Sequence, residues 1–281
     1  MTERRLAGRA IFPVGLGAMP LSTAGRPGRA QAVRTVHAAL DAGVRLVDTA
    51  DAYCLDRADT GHNEVLVAEA LASWSGDRDD VVVATKGGHV RGDDGSWAVD
   101  GRPEHLRAAC DASRARLRVD AIDLYQFHRP DPSVPFTESV GAAADLQHEG
   151  KVRHVGLSNV DVDQIEEAWG IVEVASVQNR LGPDFRSSLD EVQRCAERGI
   201  AFLAWAPLGG GRSAGRLGEL QPAFAELAAA RDVSPQRVAI AWALAAGATV
   251  IPIPGACRPE TICDSVAAAD LELDEAELAA L

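Results

Sequence analysis

The sequence holds no Cys-x-x-Cys pair, no apolar run of about 18 residues and no excess of basic charge. Its five cysteines (Cys54, Cys110, Cys195, Cys257, Cys263) are odd in number, which argues against a disulfide framework and for a reduced, cytoplasmic setting. Without a long apolar run a transmembrane helix is excluded. The charged start MTERRLAGRA has no apolar stretch behind it, so no signal peptide is read. Lys and Arg number 28 against 41 Asp and Glu, a net charge of −13. An acidic surface of this kind repels phosphate backbones, so nucleic acid is not expected as a partner, and neither is a membrane.

What is present is a globular chain of 281 residues, 47% hydrophobic and 25% charged. It is long enough to bury roughly three-quarters of its unfolded surface without help from disulfides or a metal. Runs rich in Val, Ile and Leu recur at 12–17, 45–49, 81–86, 122–128, 152–159, 175–179, 201–207 and 249–254, each followed by a stretch of helical period. In 103–119, for instance, Leu106, Ala109, Cys110, Ser113 and Leu117 fall on one face, and Pro103 suits the first turn. Eight unbroken strand–helix alternations predict an α/β fold, a single (β/α)8 TIM barrel over 1–281. The residues before Phe12 are expected to form a short flap across its bottom. The alternative, an open doubly wound sheet, would carry GxGxxG after the first strand. Here Gly15-Leu16-Gly17-Ala18-Met19-Pro20 breaks that pattern at its last position. Long loops are expected at 20–29, 87–102 and 209–222, and loops of such length usually serve function.

Barrel active sites lie at the C-terminal strand ends. Three consecutive strands end in Asp48, Lys86 and His128, about one βα unit apart, and Tyr53 follows Asp48 closely enough to fold back over the same spot. Each alone has a bland reading as helix cap, solvated cation, core imidazole or packed ring. Together they place an acid, a lysine, a histidine and a phenol at one mouth. A metal shell is not expected, because Asp48 and His128 are too few ligands and Lys86 between them would repel the ion.

Val47-Asp48-Thr49-Ala50-Asp51-Ala52-Tyr53, Ala84-Thr85-Lys86 and Leu124-Tyr125-Gln126-Phe127-His128-Arg129-Pro130-Asp131 resemble the three signatures of the aldo-keto reductases. Lys151 to Asn159, Val177-Gln178-Asn179 and Trp205-Ala206-Pro207-Leu208-Gly209 resemble the family's later blocks, and the likeness runs from about residue 11 to 271. The resemblance implies a nicotinamide-dependent reductase acting on an aldehyde or ketone. In it Tyr53 is the general acid, Lys86 tunes it, Asp48 anchors Lys86 and His128 orients the carbonyl. It implies NADPH as cofactor with NADH also usable, a small-molecule carbonyl substrate, and a monomer or weak homo-oligomer.

On the cofactor side it implies Ser158, Asn159 and Gln178 at the carboxamide and Trp205 stacked on the nicotinamide. Ala206, Pro207, Leu208, Gly209 and Gly210 would follow the pyrophosphate, with Met19 and Asp48 beside the cofactor and Gly255 and Cys257 in its last segment. Trp97, on the 87–102 loop, is a candidate substrate wall beside Tyr53 and His128, while His89 and the charges of that loop read as a solvated face. His62, Asn63 and Glu64 read as the cap and first turn of a helix. The sequence departs from the family at Thr261, Asp264 and Ser265. The arginine that grips the adenosine 2′-phosphate is missing, and Arg258 is expected to be the one nearby cation. The rival reading, from another functional class, is a non-catalytic NADP-binding regulatory subunit on the same fold.

Overall fold

The computed structural model describes residues 4–211 and 213–281. Eight parallel strands form one sheet: β1 (Leu16–Gly17), β2 (Leu46–Asp48), β3 (Val82–Gly87), β4 (Ile122–Phe127), β5 (Val152–Ser158), β6 (Val174–Arg180), β7 (Ala201–Trp205) and β8 (Val250–Pro252). Each pairs with its neighbour in sequence, and helices fill the crossovers. The strands are Val/Ile/Leu-rich because both faces are covered: all six residues of β3 are buried.

The sheet curls until its ends meet. Gly15 N–H donates to the Pro252 carbonyl at 2.9 Å, Gly17 N–H to Pro254 at 3.0 Å, and Gly17 bridges Gly255 in parallel. A side chain at Gly17 would put its Cβ 2.6 Å from the Ile253 carbonyl oxygen, so glycine is what admits the closure. The edge strands β1 and β8 are shorter than their apolar runs, since Pro13, Pro252 and Pro254 have no N–H to give to a ladder.

A hairpin of Arg4–Leu6 and Arg9–Ile11 forms the bottom flap. Leu6 and Ile11 pack with Leu46, Val82, Leu124, Ala201 and Ile251 inside the barrel, and Arg4 clamps the flap by donating to the Val250 and Leu244 carbonyls. Above this apolar floor the lumen turns polar, with Gln126, Ser176, Gln178, Lys86 and Asp48 all buried.

Two of the expected loops carry structure of their own. Segment 87–102 folds as a hairpin, His89–Arg91 against Trp97–Val99, turning at Gly95 with φ +77°. Segment 209–222 contains the short helix Leu217–Leu220. Helix Pro103–Leu117 buries the five residues expected of it.

Candidate active site

Asp48 is the last residue of β2, Lys86 the last but one of β3, and His128 the residue after β4. Register sets Asp48 beside Ala84 and Lys86 beside Gln126, so these side chains converge on the upper lumen. The fully buried Lys86 ammonium donates to Asp48 Oδ1 and Oδ2 at 2.8 and 2.7 Å, to the Thr49 carbonyl at 2.9 Å and to Tyr53 Oη at 2.9 Å. Gln178 Nε2 donates to Asp48 Oδ1 at 2.7 Å, holding the carboxylate from the far side of the barrel. Because Tyr53 Oη accepts from Lys86, its own proton is left to point elsewhere. His128 stands edge-on to the Tyr53 ring at 5.7 Å, with Nδ1 buried and unpartnered among the described residues.

Burial sets the protonation states. It pushes the Tyr53 phenol well above its ordinary value, and the Asp48 and Asp51 carboxylates add to this. Burial lowers the Lys86 ammonium, against the pull of Asp48, and holds His128 far below the usual imidazole range, helped by Lys86, His89 and Arg129. Tyr53 is a protonated donor and His128 a neutral imidazole near pH 7.

These groups open onto a cavity of about 490 Å³ at the C-terminal mouth. Met19, Ser158, Asn159, Gln178, Trp205, Ala206, Pro207, Leu208, Gly210 and Gly255 line it, as does Trp97 on the opposite hairpin. Ser158 Oγ donates to the Gln178 carbonyl at 2.9 Å, and Asn159 Nδ2 donates to the His128 carbonyl at 3.0 Å and Ser158 Oγ at 2.9 Å. Asn159 and Ala206 hold left-handed backbone at φ +59° and +49°, uncommon for residues other than glycine. Gly209 lies just behind, on a small neighbouring recess.

At the far end the structure gives four of the expected residues partners or positions of their own. Ser265 is buried and closes its hydroxyl on the Thr261 carbonyl of its own helix. Asp264 is taken up by Arg237, at 2.7 and 3.1 Å, and by Ser234. Arg258 is thus not the one cation near this helix, although it is exposed at the N-cap of Pro259–Val266 while Arg237 is paired. Cys257 stands outside the cavity, half-buried, its Sγ directed at the Pro20 carbonyl.

Nor do the residues after Tyr53 only cap a helix. Buried Asn63 donates to the Ala18 carbonyl and Ser22 Oγ, and buried Glu64 joins Thr85 Oγ1 to Arg116 Nε, each at 2.6 Å. His62 meets Ser22 Oγ at 2.8 Å. The solvated reading of His89 also fails: it reaches into the mouth and packs edge-on against His128 at 4.3 Å. Its place just beyond Lys86, on the same strand exit, was the available signal. Sequence reasoning also gave no role to Gln126, which donates to Asp48 at 3.3 Å, or to Arg129, which lines the cavity.

Among the described residues no His, Cys, Asp or Glu group is arranged to hold a metal ion, and no helix is long and apolar enough to cross a membrane. The aldo/keto reductase family profile matches residues 13–281, and the chain belongs to that family of oxidoreductases. A 6-dehydroglucose reductase of Novosphingobium aromaticivorans is 35% identical over 271 residues, covering 93% of this chain and 88% of the relative. Among solved structures, a glycerol dehydrogenase from Gluconobacter oxydans superposes with a TM-score of 0.85 at 28% identity, covering 98% of this chain and 92% of the other. An aldo/keto reductase from Klebsiella pneumoniae, solved with NADP and acetate, gives 0.80 at 26% identity, covering 99% and 93%.

Proposed function

We propose that the chain reduces an aldehyde or ketone to the alcohol with NADPH, Tyr53 giving the proton. The observation that carries this is the 2.9 Å contact from Lys86, locked by Asp48, to a protonated Tyr53 hydroxyl beside neutral His128.

The cavity suits a nicotinamide dinucleotide. Asn159 and Gln178 offer amides, and Trp205 offers a ring whose buried Nε1 has no partner among the described residues. Gly210 and Gly211 border open space, and neither N–H enters a backbone hydrogen bond among the described residues, so both are available to a phosphate. The bound cofactor supplies the hydride. His128 and Tyr53 hold the carbonyl oxygen, Tyr53 Oη transfers its proton to that oxygen as negative charge develops, and the Lys86 ammonium beside Oη stabilises the phenolate left behind. Trp97 walls the substrate side, and Met19 stands beside the cofactor.

The test is absorbance loss of NADPH across a panel of aldehydes and ketones. Turnover supports the reading. Tight NADPH binding with no turnover of any carbonyl overturns it in favour of a regulatory, non-catalytic role.

A further inference from the structure

One cation at the mouth has no part in the reaction above. Arg129 follows His128 and, among the described lining residues, is the cavity's one arginine or lysine. Its Nε donates to His89 Nε2 at 3.3 Å and its Nη2 to Asn159 Oδ1 at 3.0 Å. His89 Nδ1 lies 3.1 Å from the Ala98 carbonyl, which only accepts, so the imidazole proton sits on Nδ1 and Nε2 is left to accept from Arg129. Both partners of the guanidinium are therefore uncharged. Among the described lining residues the single carboxylate, Asp48, is committed to Lys86.

A guanidinium carries five donors in a planar fork, and among the described residues only two of them find partners. The geometry it matches best is a carboxylate, held by two parallel hydrogen bonds. Exposed Trp97, fixed by the His89 ring edge at 5.4 Å and by Arg91 at 4.0 Å, supplies an apolar wall next to it.

We propose that Arg129 grips the anionic end of the substrate, so that the site takes aldehydes or ketones carrying a carboxylate a few bonds from the carbonyl. This rests on the carbonyl-reductase reading. The spacing follows from His89, whose ring touches His128 on one side and Arg129 on the other. The guanidinium is one imidazole beyond the residue that faces the carbonyl, so a short skeleton spans the two.

The experiment compares two matched pairs, 4-carboxybenzaldehyde with methyl 4-formylbenzoate and 4-oxobutanoate with its methyl ester. Each is measured on the wild type, on Arg129→Gln (which keeps an amide donor for Asn159) and on Arg129→Lys. The wild type is expected to favour the acid of each pair. In Arg129→Gln the acid-to-ester ratio of kcat/KM should fall about ten- to a hundredfold, the loss of one charged hydrogen-bonded contact, chiefly through KM of the acid. Arg129→Lys should restore part of it, and added salt should lower the wild-type ratio. A wild-type ratio near one, or a ratio unchanged in Arg129→Gln, overturns the proposal while turnover of both esters leaves the reductase reading standing. Calorimetric titration of 4-carboxybenzaldehyde into the protein with oxidised NADP separates the converse. Affinity that depends on Arg129, with no carbonyl reduced, keeps the carboxylate site and removes the reductase reading; affinity indifferent to Arg129 removes the site.

Discussion

The Lys86 ammonium lies 2.9 Å from the Tyr53 hydroxyl oxygen; Lys86 is wholly buried, and Tyr53 is exposed only where it lines the cavity. An ammonium without water around it keeps its charge through its partners. Asp48, with both carboxylate oxygens on Nζ, is the one that offsets the desolvation. Removing that carboxylate would leave a buried, unpaired cation next to the proposed proton donor. Asp48, Lys86 and Tyr53 therefore act as one unit in the proposed reaction.

The pH dependence follows from the direction of two shifts. His128 is held well below its ordinary value, so it stays neutral as pH falls through the usual imidazole range; Tyr53 is held well above its own, so it stays protonated as pH rises. The kcat/KM for carbonyl reduction should be level between about pH 6 and pH 8. A limb with an apparent pKa near 6.5 would assign the wrong state to His128.

Trp205 lines the cavity, its buried Nε1 has no partner among the described residues, and in the proposed function its ring stacks on the nicotinamide. Trp205→Ala should weaken NADPH binding by about 1–3 kcal/mol, taking base–aromatic stacking as the measured analogue. NADPH should quench tryptophan fluorescence in the parent. Unchanged affinity in the variant, with no quench in the parent, returns the residue to barrel packing.

At the adenosine end Arg237 is neutralised by Asp264, whereas Arg258 is exposed at a helix N-cap. NADPH should be preferred modestly, about ten- to a hundredfold for one charged contact, with NADH usable. Arg258→Ala should erase most of that preference and spare NADH affinity. Equal losses for both cofactors would show that Arg258 reads no phosphate.

Asp51 gives a stability prediction. Burial, with Glu64 nearby, raises its carboxyl to about 8, and its Oδ1 is buried without a partner among the described residues. In the unfolded chain the group titrates near about 3.9. The folded chain thus binds the proton more tightly, and stability is lost as pH climbs from about 4 to about 8. Asp51→Asn should raise Tm, by an amount that grows between pH 5 and pH 8. Melting curves giving the same increment at both values would contradict the shift.

The barrel was legible because parallel strands covered on both faces must be short apolar runs, and each of the eight runs contains or overlaps one strand. Asp48, Lys86 and His128 were legible for a related reason: strand ends place their residues at one mouth whatever the loops do. The pairing of Asp264 with Arg237 was not, since it depends on how two helices separated in sequence pack together. The hairpin of residues 89–99 was hidden as well. It is half-exposed and charged, with no apolar alternation to mark it, and this concealed the contacts that bring His89 and Arg129 to the site.

The most direct test of the central claim is single-turnover reduction of an accepted aldehyde by Tyr53→Phe, with NADPH affinity measured in parallel. The ring remains to pack and only the hydroxyl is lost. The account predicts a rate at least about 10²-fold lower, up to about 10⁴-fold, with NADPH affinity nearly unchanged. A variant reducing the aldehyde at close to the parental rate would contradict it, and some other group would then have to deliver the proton.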